Sequence, residues 1–399
     1  MKRRKFISAL STVAVTAPII GCNQQQKSSN GGETAAAGNN EPIPAFLKNY
    51  ADIYAQNPRQ ATLEWFKNAK FGLFMHYGLY SLIGRGEWVQ LRETIPLSEY
   101  TKLTNDFRAD KFDPNQITDM ALAAGMKYVN ITSRHHDSFC LFNTAQTDYN
   151  SLKAASGRDL IKDLAAACDQ KGLGLFLYYS YGLDWKHPYF YSDEASQKGE
   201  VTWDAARPNY DPLPPEYKFE KDEDFKQYID FAHAQLKEIL TQYPNLAGIW
   251  LDPIMGYYSR PDLFPIEETY ALIRQLQPQA LIAFKQGANG DEDFVAPERT
   301  PRAHQNGGKV AQVAWEKNQG KPIEICDTLQ PKDIPGNSWG YNKAADGKHL
   351  NVDEVMKMLE HADNVNANLL LNTGPMPDGS IPPVDIETLT EVGKRLKTV

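Results

Sequence analysis

The sequence predicts an α/β fold of the (β/α)8, TIM-like type, built as one domain over residues 45–399. Three observations carry that reading. From about residue 60, short and nearly continuous apolar runs alternate with amphipathic stretches, the pattern of a parallel sheet with helices on its faces. Each run ends in polar or aromatic side chains, as barrel strands do where their carboxyl ends open onto a ligand site. A doubly wound sheet would gather ligands in the same way. No GxGxxG or GxxxxGK[ST] follows any run, so its nucleotide-binding version loses its main support.

In chain order the strands are "FGLFMHYG" (71–78), "KYVNITS" (127–133), "GLGLFLYYS" (172–180), "LAGIWLD" (246–252), "LIAFKQ" (281–286), "IEICDTL" (323–329) and "NLLLNTG" (368–374). Their ends carry His76, His135-His136-Asp137, Tyr178-Tyr179, Asp252, Lys285, Asp327 and Asn372. Helices are expected at about 115–124, 158–171, 222–242, 265–277, 351–364 and 385–397. In the third, Phe225, Tyr228, Ile229, Ala232, Leu236, Ile239 and Leu240 recur at helical spacing. Two long connections, 184–220 and 287–321, have little periodicity and are expected as loops that shape a cleft on the active face.

The amino terminus reads as a targeting segment. Lys2-Arg3-Arg4-Lys5 precedes an apolar run, Phe6 to Ile20, that is too short to span a bilayer. Ile19-Ile20-Gly21-Cys22 resembles a bacterial lipobox, so residues 1–22 are expected to be a lipoprotein signal peptide with Cys22 lipidated. Residues 23–44 are polar and low in complexity, a flexible tether. The expected location is the bacterial cell envelope, as an exported periplasmic or outer-membrane lipoprotein held to the membrane only by that anchor.

A formal net charge of −8, with no basic stretch after the first five residues, argues against nucleic acid as a partner. Cys140, Cys168 and Cys326 show no CxxC spacing and are expected as buried thiols. The stretch "NITSRHHDSFCLF" sets His135 beside His136, and neighbours on a strand point to opposite faces. Both rings can therefore serve one site only where the strand breaks into its loop. No HxH or HExxH occurs, and neither a metal nor another cofactor is expected. Cys140 between Phe139 and Leu141 reads as buried rather than activated. Asp252 closes an otherwise apolar run and needs donors around it, at a site mouth or in a turn with Pro253. Glu292, Asp293, Glu298 and Glu324 follow. Two carboxylates facing one pocket among His, Trp and Tyr side chains is a glycosidase arrangement.

The stretches "EWFKNAKFGLFMHYGLYS", "GEW", "FDPNQITDMALAAGMKYVNITSRHHDSFCLF", "GRDLIKDLAAACDQKGLGLFLYYS", "GIWLD", "SWGYN" and "NLLLNTGPMPDGSIP" occur in that order from about residue 60 to the end. Together they resemble glycoside hydrolase family 29, the α-L-fucosidases. The resemblance implies a catalytic (β/α) barrel that removes terminal α-L-fucose from oligosaccharides or polysaccharides with retention. Many members add a carboxyl-terminal β-sandwich, and here the expectation is the barrel without it. Residue by residue, it implies Asp252 as nucleophile and His76, Glu87, Trp88, His135, His136 and Tyr178 as groups that hold fucose. Trp88 and Trp339 would cover its apolar face. The acid/base is expected to be Glu298, with Glu324 as the alternative and Glu292, Asp293 and Glu316 behind them. It should stand ~5–5.5 Å from Asp252 with a raised pKa. Two other readings share these residues: a glycosidase acting on α-L-galactose, and a non-catalytic fucose-binding lipoprotein of the envelope.

Overall fold

Each of the seven apolar runs becomes one strand: β1 (Phe71–Met75), β2 (Tyr128–Arg134), β3 (Gly174–Ser180), β4 (Gly248–Asp252), β5 (Leu281–Phe284), β6 (Ile323–Thr328) and β7 (Ala367–Thr373). The computed structural model describes residues 42–191, 207, 208, 210, 212–335 and 338–398. The signal peptide, Cys22 and nearly all of the tether lie outside the described residues, as does most of the stretch from 192 to 211. All seven strands pair in parallel in the order β5-β4-β3-β2-β1-β7-β6.

That order leaves β5 and β6 at the edges, so the eight regular strands expected are seven among the described residues. The stretch between the edges explains the shortfall. Asp293 and Ala296 donate their N–H groups to Ile282 and Lys285, at 2.8 and 2.7 Å. On the other side, Glu324 donates to the Val295 carbonyl at 2.9 Å, and Arg299 donates to Cys326 at 3.0 Å. Residues 293–299 thus bond to both edges, but Pro297 lacks an N–H and Arg299 sits at φ 62°, so no regular ladder forms.

Apolar side chains pack on both sides of the sheet. Between strands and helices lie residues such as Ile131, Leu177 and Ile249 with Leu164, Leu236 and Ile273. The opposite face buries Phe74, Tyr128, Phe176, Trp250, Phe294 and Leu370. The helix Pro58–Ala69 adds Trp65 and Phe66 to this second cluster. It begins with Pro58 at its first position, and the Asn57 side chain accepts from the Gln60 N–H at 3.1 Å. Gly174 opens β3 because a Cβ there would stand 2.3 Å from the Trp65 ring.

The expected helices appear within a few residues, at Pro114–Ala123, Leu160–Lys171, Lys226–Gln242, Ile266–Leu276, Val352–Asn364 and Pro383–Leu396. The 287–321 connection, expected as loop, holds a helix at Gly308–Lys317. It buries only Ala311 and Ala314, while Val310 and Val313 face solvent, which is why its periodicity is faint. Trp65→Ala should lower stability by ~3–5 kcal/mol in urea unfolding, the cost of a large cavity in a packed core.

Candidate active site

Strand β2 delivers the two histidines through a local fault. Its pairing with β3 runs Thr132 to Tyr178 and then Arg134 to Tyr179, so Ser133 is an extra residue, a β-bulge. The Ser133 hydroxyl donates to the Tyr178 carbonyl at 2.7 Å. Past the bulge, Arg134 turns to the helix side, where it meets Asp184 at 2.6 Å and lies 4.5 Å from the Tyr179 ring. The strand ends there, and His135 and His136 both line one cavity of about 520 Å³. Asp137 caps the loop, accepting from Phe139 N–H at 3.1 Å and Tyr100 hydroxyl at 2.9 Å.

Hydrogen-bond accounting assigns the tautomers of two rings. The Ser180 hydroxyl donates to the Leu183 carbonyl at 2.6 Å, so at 2.7 Å it accepts from Nδ1 of His136. Asn372 spends its amide protons on Thr328 and the Trp339 carbonyl, so its oxygen accepts from Nδ1 of His76 at 2.8 Å. Burial lowers the His76 pKa to about 3 and that of His136 well below the usual value. Both rings are therefore neutral, with Nε2 left as a hydrogen-bond acceptor suited to a sugar hydroxyl. His135 stacks along Tyr178 at 5.6 Å and 14°, and Trp88 stands 4.8 Å from His136. Glu87 accepts from the N–H groups of Trp339 and Gly340 at 2.8 and 2.7 Å, tying "GEW" to "SWGY"; burial raises its pKa. Trp339 packs 5.4 Å from His76.

Asp252 ends β4 and is 7% exposed. The Tyr178 hydroxyl donates to its Oδ2 at 2.6 Å, and Lys285 Nζ lies 3.5 Å from Oδ1. The same ammonium donates to Glu298. Two contacts of ~3 Å on one nitrogen keep the carboxylates within about 6 Å of each other, compatible with the separation in retaining glycosidases. Burial raises the Asp252 pKa against the pull of Lys285. For Glu298 burial acts upward too, but Lys285 outweighs it and holds the carboxyl below its usual value. The raised pKa expected of the acid is thus not found at Glu298 while Lys285 rests on it.

It is found at Glu324, which does not line the cavity. This second residue of β6 is 1% exposed and accepts from the Tyr128 hydroxyl at 2.7 Å and Trp250 Nε1 at 3.0 Å. Burial raises its pKa to about 7. Of the remaining candidates, Glu292 accepts from Tyr270 and from the Ala288 N–H, and Asp293 from the Ile282 N–H. Neither faces the cavity, nor does Glu316. Lys285, Trp250, Arg299, Arg302 and Lys332 do line it without having been assigned roles from sequence. Lys285 had a visible signal, a charge closing the apolar run next to the one that ends in Asp252. Among the described residues, no group of three His, Cys, Asp or Glu side chains could hold a metal ion.

A parallel α/β sheet whose strand ends gather two carboxylates on one ammonium, beside hydroxyl-accepting imidazoles, describes a glycoside hydrolase. The family model for α-L-fucosidase matches residues 44–399, and the chain belongs to that family. The plasma α-L-fucosidase of Rattus norvegicus is 27% identical over 372 residues, covering 87% of this chain and 72% of its own. Among solved structures, α-L-fucosidase isoenzyme 1 from Paenibacillus thiaminolyticus is 32% identical with a TM-score of 0.68, covering 85% of this chain and 76% of that one. AlfC from Lactobacillus casei, in complex with α-L-fucose product, is 28% identical with a TM-score of 0.68 over 84% of this chain and 98% of that one.

Glu324 gives a signed pH prediction. With its pKa lifted to about 7, the folded state keeps a proton that the unfolded chain releases near ~4.3. Stability from this group therefore falls as pH rises from ~4.3 to about 7 and is flat above. Glu324→Gln removes the charge while its amide oxygen accepts from Trp250 Nε1 and its NH2 donates to the Tyr128 hydroxyl, which reverses its role. Urea unfolding should find it similar to the parent at pH 4 and more stable at pH 8, by on the order of 3 kcal/mol. An unchanged difference between the two pH values would show that Glu324 carries no such proton.

Proposed function

We propose that this α-L-fucosidase acts on terminal fucose by a retaining double displacement, with Asp252 as nucleophile and Glu298 as acid/base. The observation that carries this is the single ammonium of Lys285 shared by those two carboxylates in one cavity. Asp252 forms a bond to the anomeric carbon as the glycosidic C–O bond breaks, and the Glu298 proton goes to the departing oxygen. Water then attacks the same carbon, its proton passes to Glu298, and the ester to Asp252 breaks. The chemistry needs Asp252 ionised and Glu298 protonated. Moving Lys285 from Glu298 toward Asp252 produces that polarity, because the carboxylate that loses the ammonium becomes the more basic one. His76, Glu87, Trp88, His135, His136, Tyr178 and Trp339 line the cavity and hold the sugar; Nε2 of His76 and of His136 accepts hydrogen bonds from its hydroxyls.

Asp252→Ala should cut turnover of an aryl α-L-fucoside by more than ~10³-fold. Glu298→Ala should lose ~10²–10⁴-fold on natural linkages and far less on an activated aryl fucoside, with azide restoring part of the loss. Substantial activity in the Asp252 variant would sink the nucleophile assignment. Fucose binding without any turnover would favour the non-catalytic reading. The basic, apolar and cysteine order of residues 2–22 supports export and attachment through Cys22. Palmitate labelling in a bacterial host should mark the full chain and be lost in Cys22→Ala.

A further inference from the structure

The cavity wall beyond the two carboxylates carries charge that the fucose reaction does not use. Fucose is neutral, and the acidic residues lining the cavity, Glu87, Asp252 and Glu298, already have roles. The segment that follows Glu298 lines the wall with Arg299 and Arg302, and Lys332 joins them from the connection after β6. One carboxylate behind that wall, Asp327, is shared by two of these cations, at 3.4 Å from Arg299 Nε and 3.4 Å from Lys332 Nζ. Arg302 is exposed, with the Gln305 side-chain amide beside its guanidinium. Arg299, Arg302 and Lys332 thus bring three cations to this wall, on a chain whose net charge is −8.

The position of this wall gives the charge a meaning. An acid/base must face the glycosidic oxygen, so the wall continuous with Glu298 borders the leaving group rather than the fucose ring. Guanidinium and ammonium groups at that place match an oxyanion by charge and by paired N–H donors. Resting on the fucosidase reading above, we propose that Arg302 and Lys332 bind an anionic group on the leaving-group sugar, a sulfate ester or a carboxylate. The preferred substrates are then acidic fucosylated glycans. Lys332 is half-exposed and swings on a flexible stem, whereas Arg302 offers the planar fork that fixes an oxyanion's orientation.

The test uses three α-L-fucosyl disaccharides: one ending in a neutral hexosamine, one in its sulfate ester, and one in a uronic acid. At low ionic strength kcat/KM should favour an acidic disaccharide over the neutral one by roughly tenfold. The ratio should approach one in 0.5 M salt, where the Debye length shrinks to a few ångströms. It should also collapse in Arg302→Ala/Lys332→Ala and fall partway in Arg302→Lys, which keeps the charge but loses the fork. Preference for the sulfated arm assigns a sulfate ester, and preference for the uronate arm assigns a carboxylate. A ratio at or below one for both acids overturns the proposal. If none of the three is cleaved, the fucosidase reading fails instead. Calorimetric binding of the same disaccharides to Asp252→Asn protein still decides the wall: tighter, salt-sensitive binding of an acid supports it, and equal binding overturns it.

Discussion

The ammonium of Lys285 is the charge on which the cavity depends. Asp252 and Glu298 are like charges held close together and partly removed from water, and without a cation between them at least one would stay protonated. Lys285 itself tolerates burial only because both carboxylates face it; they hold it protonated although desolvation opposes the charge. The aromatic surroundings sharpen the dependence. Trp250 lies 5.0 Å below the ammonium, and its π face adds attraction while keeping the local dielectric low. A cavity built this way can change which carboxylate is ionised by a small movement of one side chain.

Beneath that cavity a second, quieter polar contact holds the floor in place. Gly72 leaves room for the Tyr128 ring, since a Cβ there would stand 2.3 Å from it. Tyr128 reaches Glu324, and Glu324 accepts from the indole of Trp250. Trp250 stacks on Tyr178 at 5.5 Å and 25°, and Tyr178 donates to Asp252. The chain from a glycine in β1 to the carboxylate ending β4 therefore passes through one buried carboxyl that never meets the substrate cavity. Its raised pKa is a consequence of apolar surroundings and marks a structural group as readily as a catalytic one.

Much of this was legible in the sequence because burial on both faces writes parallel strands as unbroken apolar runs. The polar residue ending each run then pointed to the site face. Asp252, His76, His135, His136 and Tyr178 all stood at such ends, and all line the cavity. What stayed hidden depends on partners distant in the chain. The stretch 293–299 bonds to both sheet edges without a strand-like pattern, because Pro297 and Arg299 break it. The tautomers of His76 and His136 are set by Asn372 and Ser180, from other strands. Glu324 carried a usable clue: it stands second in its run, at the amino end, and so below the level where the other site residues emerge. Glu298 showed in no periodicity and was named only through the family resemblance; its place is set by the backbone bonds of Pro297 and Arg299 to Cys326.

The bulge at Ser133 works as a phase shifter. Along a regular strand side chains alternate, so a residue's face is decided by parity alone. One inserted position reverses the parity of everything after it. Arg134, in phase with Thr132 by count, is sent outward to Asp184 instead, and an imidazole takes the place a guanidinium would have held. Were Ser133 instead to take a regular place opposite Tyr179, Arg134 would move one register on and turn its cation to the inner face. The identity of the serine matters less than its presence as an odd number.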